Sequence, residues 1–161
     1  MANNCFNYLT TSKPSSFLDN ILSTHNWKDG YLFPVAGRAI FDLERDTDGH
    51  LPEEMSYRFT TKWSPDPVPL VAIAAVEGFT FTLKCEEHSD RIECEYKWDG
   101  KILWFRGLPD EFFDYSKHSD GGYETHEGVW IDNIFEYFEE SLKDLPWTDC
   151  FIQVSVVDLS K

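Results

Sequence analysis

The feature that most constrains this chain is a run of period-two alternation between Tyr57 and Trp104, broken once by a helix-like segment. Tyr57, Phe59 and Thr61 alternate with Arg58, Thr60 and Lys62 until Ser64-Pro65-Asp66-Pro67. Such alternation puts two sets of side chains on opposite faces of a strand, and proline, with no N–H for the ladder, ends it. Val68, Leu70, Val71, Ile73, Ala74 and Ala75 follow, too densely apolar for a helix facing water, and Gly78 closes them. This predicts a short helix packed against a sheet. Phe79, Phe81, Leu83 and Cys85 then oppose Thr80, Thr82, Lys84 and Glu86; beyond Glu87-His88-Ser89-Asp90, Ile92, Cys94, Tyr96 and Trp98 oppose Glu93, Glu95 and Lys97. That is a β-hairpin with one apolar face, and Asp99-Gly100 signals a second tight hairpin into Ile102–Phe105.

The flanking segments supply the remaining elements. Phe6, Tyr8 and Thr10 alternate with Asn7, Leu9 and Thr11 as a first strand; Phe17, Leu18, Ile21, Leu22 and His25 recur at helical spacing, with Ser15 or Ser16 as N-cap. The stretch at about 27–54 carries Gly30, Gly37, Gly49, Pro34 and Pro52 and reads as an irregular insertion, with a strand turn near Tyr31 to Phe33 and an acidic surface loop from Asp42 to Glu54. Residues 108–130 again read as loop. Trp130, Ile131, Ile134, Phe135, Phe138 and Leu142 mark an amphipathic helix at about 130–144, stopped by Pro146, before a last strand from Phe151 to Val157. The order βαβαβββαβ predicts a single α+β domain over residues 1–161, a mainly antiparallel sheet with two or three helices packed on one face.

Charge limits what such a domain can bind. The chain has 29 acidic side chains against 14 basic ones, a formal net charge of −15, which disfavours nucleic acid and anionic membrane surfaces as direct partners. The carboxylates fall in three patches: Asp42 to Glu54, Glu86 to Glu95, and residues 109–144, where eleven face only two lysines. Solubility alone accounts for many acidic surfaces. None of Cys5, Cys85, Cys94 and Cys150 forms a C-x-x-C pair, and MANNCFNYLT lacks the basic and long apolar regions of a secretion signal, so reduced thiols and a cytoplasmic location are expected. No apolar run approaches the roughly 20 residues of a membrane span.

Motifs for catalysis are missing. There is no H-E-x-x-H, G-x-S-x-G or phosphate-cradling glycine loop, so no catalytic residue and no cofactor are expected and a non-enzymatic role is favoured. Glu44-Arg45-Asp46-Thr47-Asp48-Gly49 opens like a calcium loop, but its twelfth position is Met55 and Glu54 stands one short, which makes it an acidic turn. His118 and His126 share a loop with Asp120, Glu124 and Glu127, the basis of an alternative reading as a small metal-dependent enzyme. Trp98, Trp104 and Phe105 could stack bases, but stacking platforms need a positive groove, so core packing is the better account.

The string RFTTKWSPDPVPLVAIAAVEGFTFTL at residues 58–83 resembles the YubB-type ferredoxin-like domain family of phage and plasmid proteins, in which a strand runs into T-x-W-S-P-P, a helix, an F-x-L strand and an acidic pair, here Glu86-Glu87. The opening MANNCFNYLTTS is similar as well. Asp66 stands where a second proline is common, and neither residues 27–54 nor the region after Pro109 aligns. The resemblance implies a ferredoxin-like core and an origin on a mobile element, and it transfers no catalytic residue. Trp63 and Pro65 are then expected to form a strand-to-helix corner with an aromatic plug.

An acidic domain of that origin points to a binding role. The expectation is an inhibitor of a host nucleic-acid-handling defence system, a CRISPR or restriction effector, acting in the host cytoplasm by occluding a basic surface as a DNA mimic. Glu124, Glu127, Asp132, Glu136, Glu139 and Glu140 would carry it, with Asp46, Asp48, Glu53 and Glu54 as a second patch. An immunity protein that neutralises a nuclease toxin is the alternative within binding proteins.

Overall fold

A computed structural model describes residues 4–24, 31–32, 39–46 and 51–150. Its centre is β1 (Asn4–Thr11), flanked by β4 (Ser56–Lys62) on one side and β5 (Phe81–Glu87) on the other, both antiparallel to it. Beyond β5 come β6 (Ile92–Trp98), β7 (Leu103–Gly107) and β11 (Thr148–Cys150); beyond β4 come β3 (Ala39–Arg45) and the two-residue β2 (Tyr31–Leu32). The order across the sheet is β11-β7-β6-β5-β1-β4-β3-β2, with every neighbouring pair antiparallel. The α+β class and the antiparallel sheet stand as expected, with more strands than a simple ferredoxin-like sheet holds. The predicted strand from Phe151 to Val157 lies outside the described residues.

Helices α1 (Ser16–Thr24) and α2 (Val68–Glu77) cover one face. Ser15 is the N-cap of α1, its Oγ accepting from the Leu18 amide at 3.2 Å, and Gly78 ends α2 at φ 74°. Phe17, Leu18 and Ile21 of α1 and Leu70, Val71, Ile73 and Ala74 of α2 pack on Leu9, Leu83, Cys85, Tyr57 and Phe59 in one cluster. Cys85 and Cys94 face each other across the hairpin as free thiols, and burial pushes the Cys5 thiol up to about 12. These are inert core residues.

The third helix corrects the expectation of helices on one face. Helix α3 (Ile134–Lys143) lies on the opposite face near β6, where Glu139 reaches Lys84 and Lys143 O accepts from Arg106, side chains that alternate with the core-facing Leu83, Cys85 and Phe105. It starts at Ile134, later than the expected 130, because Trp130 and Ile131 form β10 (Trp130–Ile131), paired with β9 (Tyr123–Glu124), itself paired with β8 (Ser116–Lys117). The expected loop at 108–130 is therefore a three-stranded sheet preceded by a 3₁₀ turn at Asp110–Phe113.

Two further expectations change. The insertion at about 27–54 contains β3, a strand of the main sheet, with Ile40 and Leu43 buried. A register shift between Phe41 and Glu44, with Asp42 at φ 53°, puts those two inward residues three apart, so no period of two was visible. Glu44 of the calcium-like run sits in this strand and pairs with Arg58 at 2.6 Å; Asp48 and Gly49 lie outside the described residues. Trp63 is no plug: it is 56% exposed at φ 71°.

Candidate functional site

The layer on the second face is built around α3. Ile134, Phe138 and Leu142, spaced four apart, turn inward and pack with Leu108, Phe112, Phe113, Tyr115, Tyr123 and Ile131 in a core separate from the main one. Asn133 fixes the helix start, its Oδ1 accepting from the amides of Phe135 at 3.0 Å and Glu136 at 3.2 Å. This geometry leaves Glu136, Glu140 and Lys143 outward.

Charge in this layer is nearly all of one sign. Of the eleven carboxylates in residues 109–144, only Asp114, at 2.8 Å from Arg91, and Glu139, at 3.2 Å from Lys84, meet a described lysine or arginine. The other nine are exposed. The same stretch exposes apolar side chains: Val129 is 53%, Trp130 48% and Phe135 61% exposed. The Trp130 ring lies against His118, centroids 4.7 Å apart, and over Gly122, where a Cβ would overlap the ring.

The expected partner-binding residues divide by location. Asp132, Glu136 and Glu140 are exposed without a described cation, while Glu124 sits 3.3 Å from His118 and Glu127 3.7 Å from His126. Glu139 points along the sheet to Lys84, so it is set apart from the outward acids. Of the second patch, Asp46 is half-buried and Glu53 exposed; the Glu54 side chain and Asp48 lie outside what is described. Asp46 and Glu139 nonetheless border one basin of about 610 Å³ on the open part of the sheet, floored by Tyr8, Lys84, Glu95 and Arg106. All four follow from register, since Tyr8 is opposite Lys84, Lys84 opposite Glu95 and Glu95 opposite Arg106. Arg106 binds Glu95 through Nε at 3.0 Å and an Nη at 2.7 Å and covers the Trp147 ring at 4.2 Å. The basin's cations are thus already held by carboxylates.

A second constellation lies at the tip of the β5–β6 hairpin. Glu86 and Glu93 are cross-strand partners and His88 is in the 3₁₀ turn joining the strands, His88–Asp90. One ligating atom from each of Glu86, His88 and Glu93 lies within 4.8 Å of the other two; it is the only such three-ligand group among the described residues. His88 Nε2 is 2.9 Å from Glu93 Oε2, and Glu93 is only 3% exposed. The Tyr8 hydroxyl donates to Glu86 Oε1 at 3.3 Å, and burial, then the Glu86 charge, raises the Tyr8 pKa. The His118/His126 loop has no described third ligand in reach. The sequence held the cross-strand half of this cluster in its alternation; what it lacked was the turn that folds His88 back over Glu93.

Comparison with family models, curated proteins and solved structures returned no match.

Proposed function

We propose that this chain is a binding protein whose α3 and β8–β10 layer docks on a basic surface of a nucleic-acid-handling protein and blocks it without turnover. The observation that carries the reading is the nine exposed carboxylates with no described lysine or arginine in reach, in a stretch that also exposes Val129, Trp130 and Phe135. Apolar anchors together with charge of one sign suit a partner with an apolar pocket in a cationic field. Such a field is what proteins present to phosphate backbones, so a host restriction or CRISPR nuclease is the target class, and a nuclease toxin is the other partner with the same chemistry.

The strand order supports the ferredoxin-like reading of the core. The succession β1-α1-β3-β4-α2-β5, with β5-β1-β4-β3 side by side, follows the βαββαβ plan, extended by β6, β7 and β11 at one edge. The acidic layer is then an addition to that core on its free face.

The test is DNA cleavage by a panel of purified restriction and CRISPR nucleases and nuclease toxins, with this protein titrated in. The reading expects one of them to be silenced at about one equivalent, and expects E124Q/E127Q/E136Q/E140Q to weaken inhibition about ten- to a hundredfold, the sum of four rim charges. Inhibition of none, or inhibition indifferent to the four substitutions, would overturn it.

A further inference from the structure

We propose that Glu86, His88 and Glu93 bind a first-row divalent transition metal ion of the Zn²⁺ or Mn²⁺ kind at the tip of the β5–β6 hairpin. The donor set is two carboxylates and one imidazole, whose two negative charges match one dication. Ligand bonds of about 2.0–2.2 Å require neighbouring donors about 3 Å apart. His88 Nε2 and Glu93 Oε2, at 2.9 Å, already stand at that spacing, and the ion takes the place of the proton now between them. The remaining separations, within 4.8 Å, close by rotation of the half-buried Glu86 side chain.

Burial gives a second, independent reason. The Glu93 side chain is only 3% exposed, and its Oε1 accepts no hydrogen bond among the described residues. Its Oε2 meets His88 Nε2 at 2.9 Å, and its other neighbour, Lys84 Nζ, stands 4.0 Å away and is closer to Glu139, at 3.2 Å. A buried carboxylate with one oxygen left without a hydrogen bond is stabilised by an ion. His88 is oriented beforehand: its ring is held against Phe135 at 5.4 Å and against Phe138 at 5.0 Å, while Glu86, held by one hydrogen bond from Tyr8 at 3.3 Å, turns toward the ion.

Access and selectivity follow from the surroundings. A cavity of about 210 Å³ opens between the exposed rings of Phe6 and Phe135 onto Glu86 and His88, leaving one side of the ion for water or another small ligand. The imidazole favours Zn²⁺ over Mg²⁺ and Ca²⁺, which prefer oxygen alone, and the two carboxylates also suit Mn²⁺. Because His88 abuts α3, the bound ion would tie the hairpin to that helix and raise thermal stability.

Calorimetric titration of the EDTA-treated full chain with ZnCl₂, MnCl₂, MgCl₂ and CaCl₂, alongside thermal unfolding, tests this. One equivalent of Zn²⁺ or Mn²⁺ should bind and raise Tm, with Mg²⁺ and Ca²⁺ at least tenfold weaker. H88Q and E93Q should each lose about tenfold or more in affinity, and E86Q, at a half-exposed position, does the same in a variant that keeps its fold. H118Q should bind as the parent does. Absence of saturable binding, Mg²⁺ binding as tight as the others, or parent-like binding by H88Q and E86Q would overturn the site. Partner blocking does not depend on it, so either proposal can fail alone.

Discussion

Glu77, the last residue of α2, accepts from Ser15 Oγ at 2.6 Å and from the amides of Ser16 at 3.0 Å and Phe17 at 3.3 Å, placing a carboxylate on the positive end of α1. Removing three acceptor contacts at once should be costly, so E77A is expected to lower unfolding free energy by about 1–3 kcal/mol in urea melts, with E77Q in between. Asp99 makes a pH-dependent prediction. Amide hydrogen bonds from Ile102 at 2.7 Å and Lys101 at 2.8 Å, together with Trp104 Nε1 at 3.0 Å, lower its pKa from 3.8 to about 2. A depressed carboxylate stabilises the fold above its unfolded pKa and stops doing so as pH falls through the folded one. The stability gap between the parent and D99N should therefore be full above pH 3.8 and close as pH approaches about 2; a gap constant over that window would refute the assignment. Trp63, exposed at φ 71°, is a residue whose identity suggested a plug and whose backbone left-handed turn denies it one.

Elements show where the sequence was legible. Strands β1, β4, β5 and β6 were readable because each keeps a period of two, and helix α2 because it is a dense apolar run closed by Gly78. Strand β3 was not, because its bulge at Asp42 shifts the inward set by one residue inside an acidic run. The three-stranded sheet was not, because strands of two residues carry no period; its order comes from Thr125, whose Oγ1 accepts from the Val129 amide at 3.1 Å and whose carbonyl accepts from the Gly128 amide at 2.9 Å, and from Trp130 over Gly122. Of the candidate site, the outward acids of α3 were legible, and the turn of Glu139 toward Lys84 was not, since it depends on which sheet face the helix covers. Phe138 is the pin of that packing, fully buried among His88, Phe113 and Tyr115. F138A should cost about 3–5 kcal/mol and release α3 first, read as loss of amide protection in residues 134–143 ahead of the main sheet. G122A should displace Trp130, seen as a change in near-ultraviolet circular dichroism, while the far-ultraviolet spectrum of the main fold persists.

On the scale of the whole molecule, the sheet separates two jobs. One face buries α1, α2 and the main core; the other carries α3, the acidic layer and the basin joining Asp46 to Glu139. No described helix is long and apolar enough to cross a membrane. Within the acidic layer, charge and apolar anchors should contribute differently to partner binding. F135A should weaken binding by tenfold or more with an unchanged salt slope, as loss of a packed anchor does. The measurement that bears most directly on the account is the affinity of the silenced nuclease for the parent and for E124Q/E127Q/E136Q/E140Q between about 0.05 and about 0.5 M salt. Steep weakening of the parent with salt, a shallower slope for the variant and convergence of the two at high salt are predicted. Parallel, salt-insensitive curves would mean that the carboxylates of this layer do not carry the interaction.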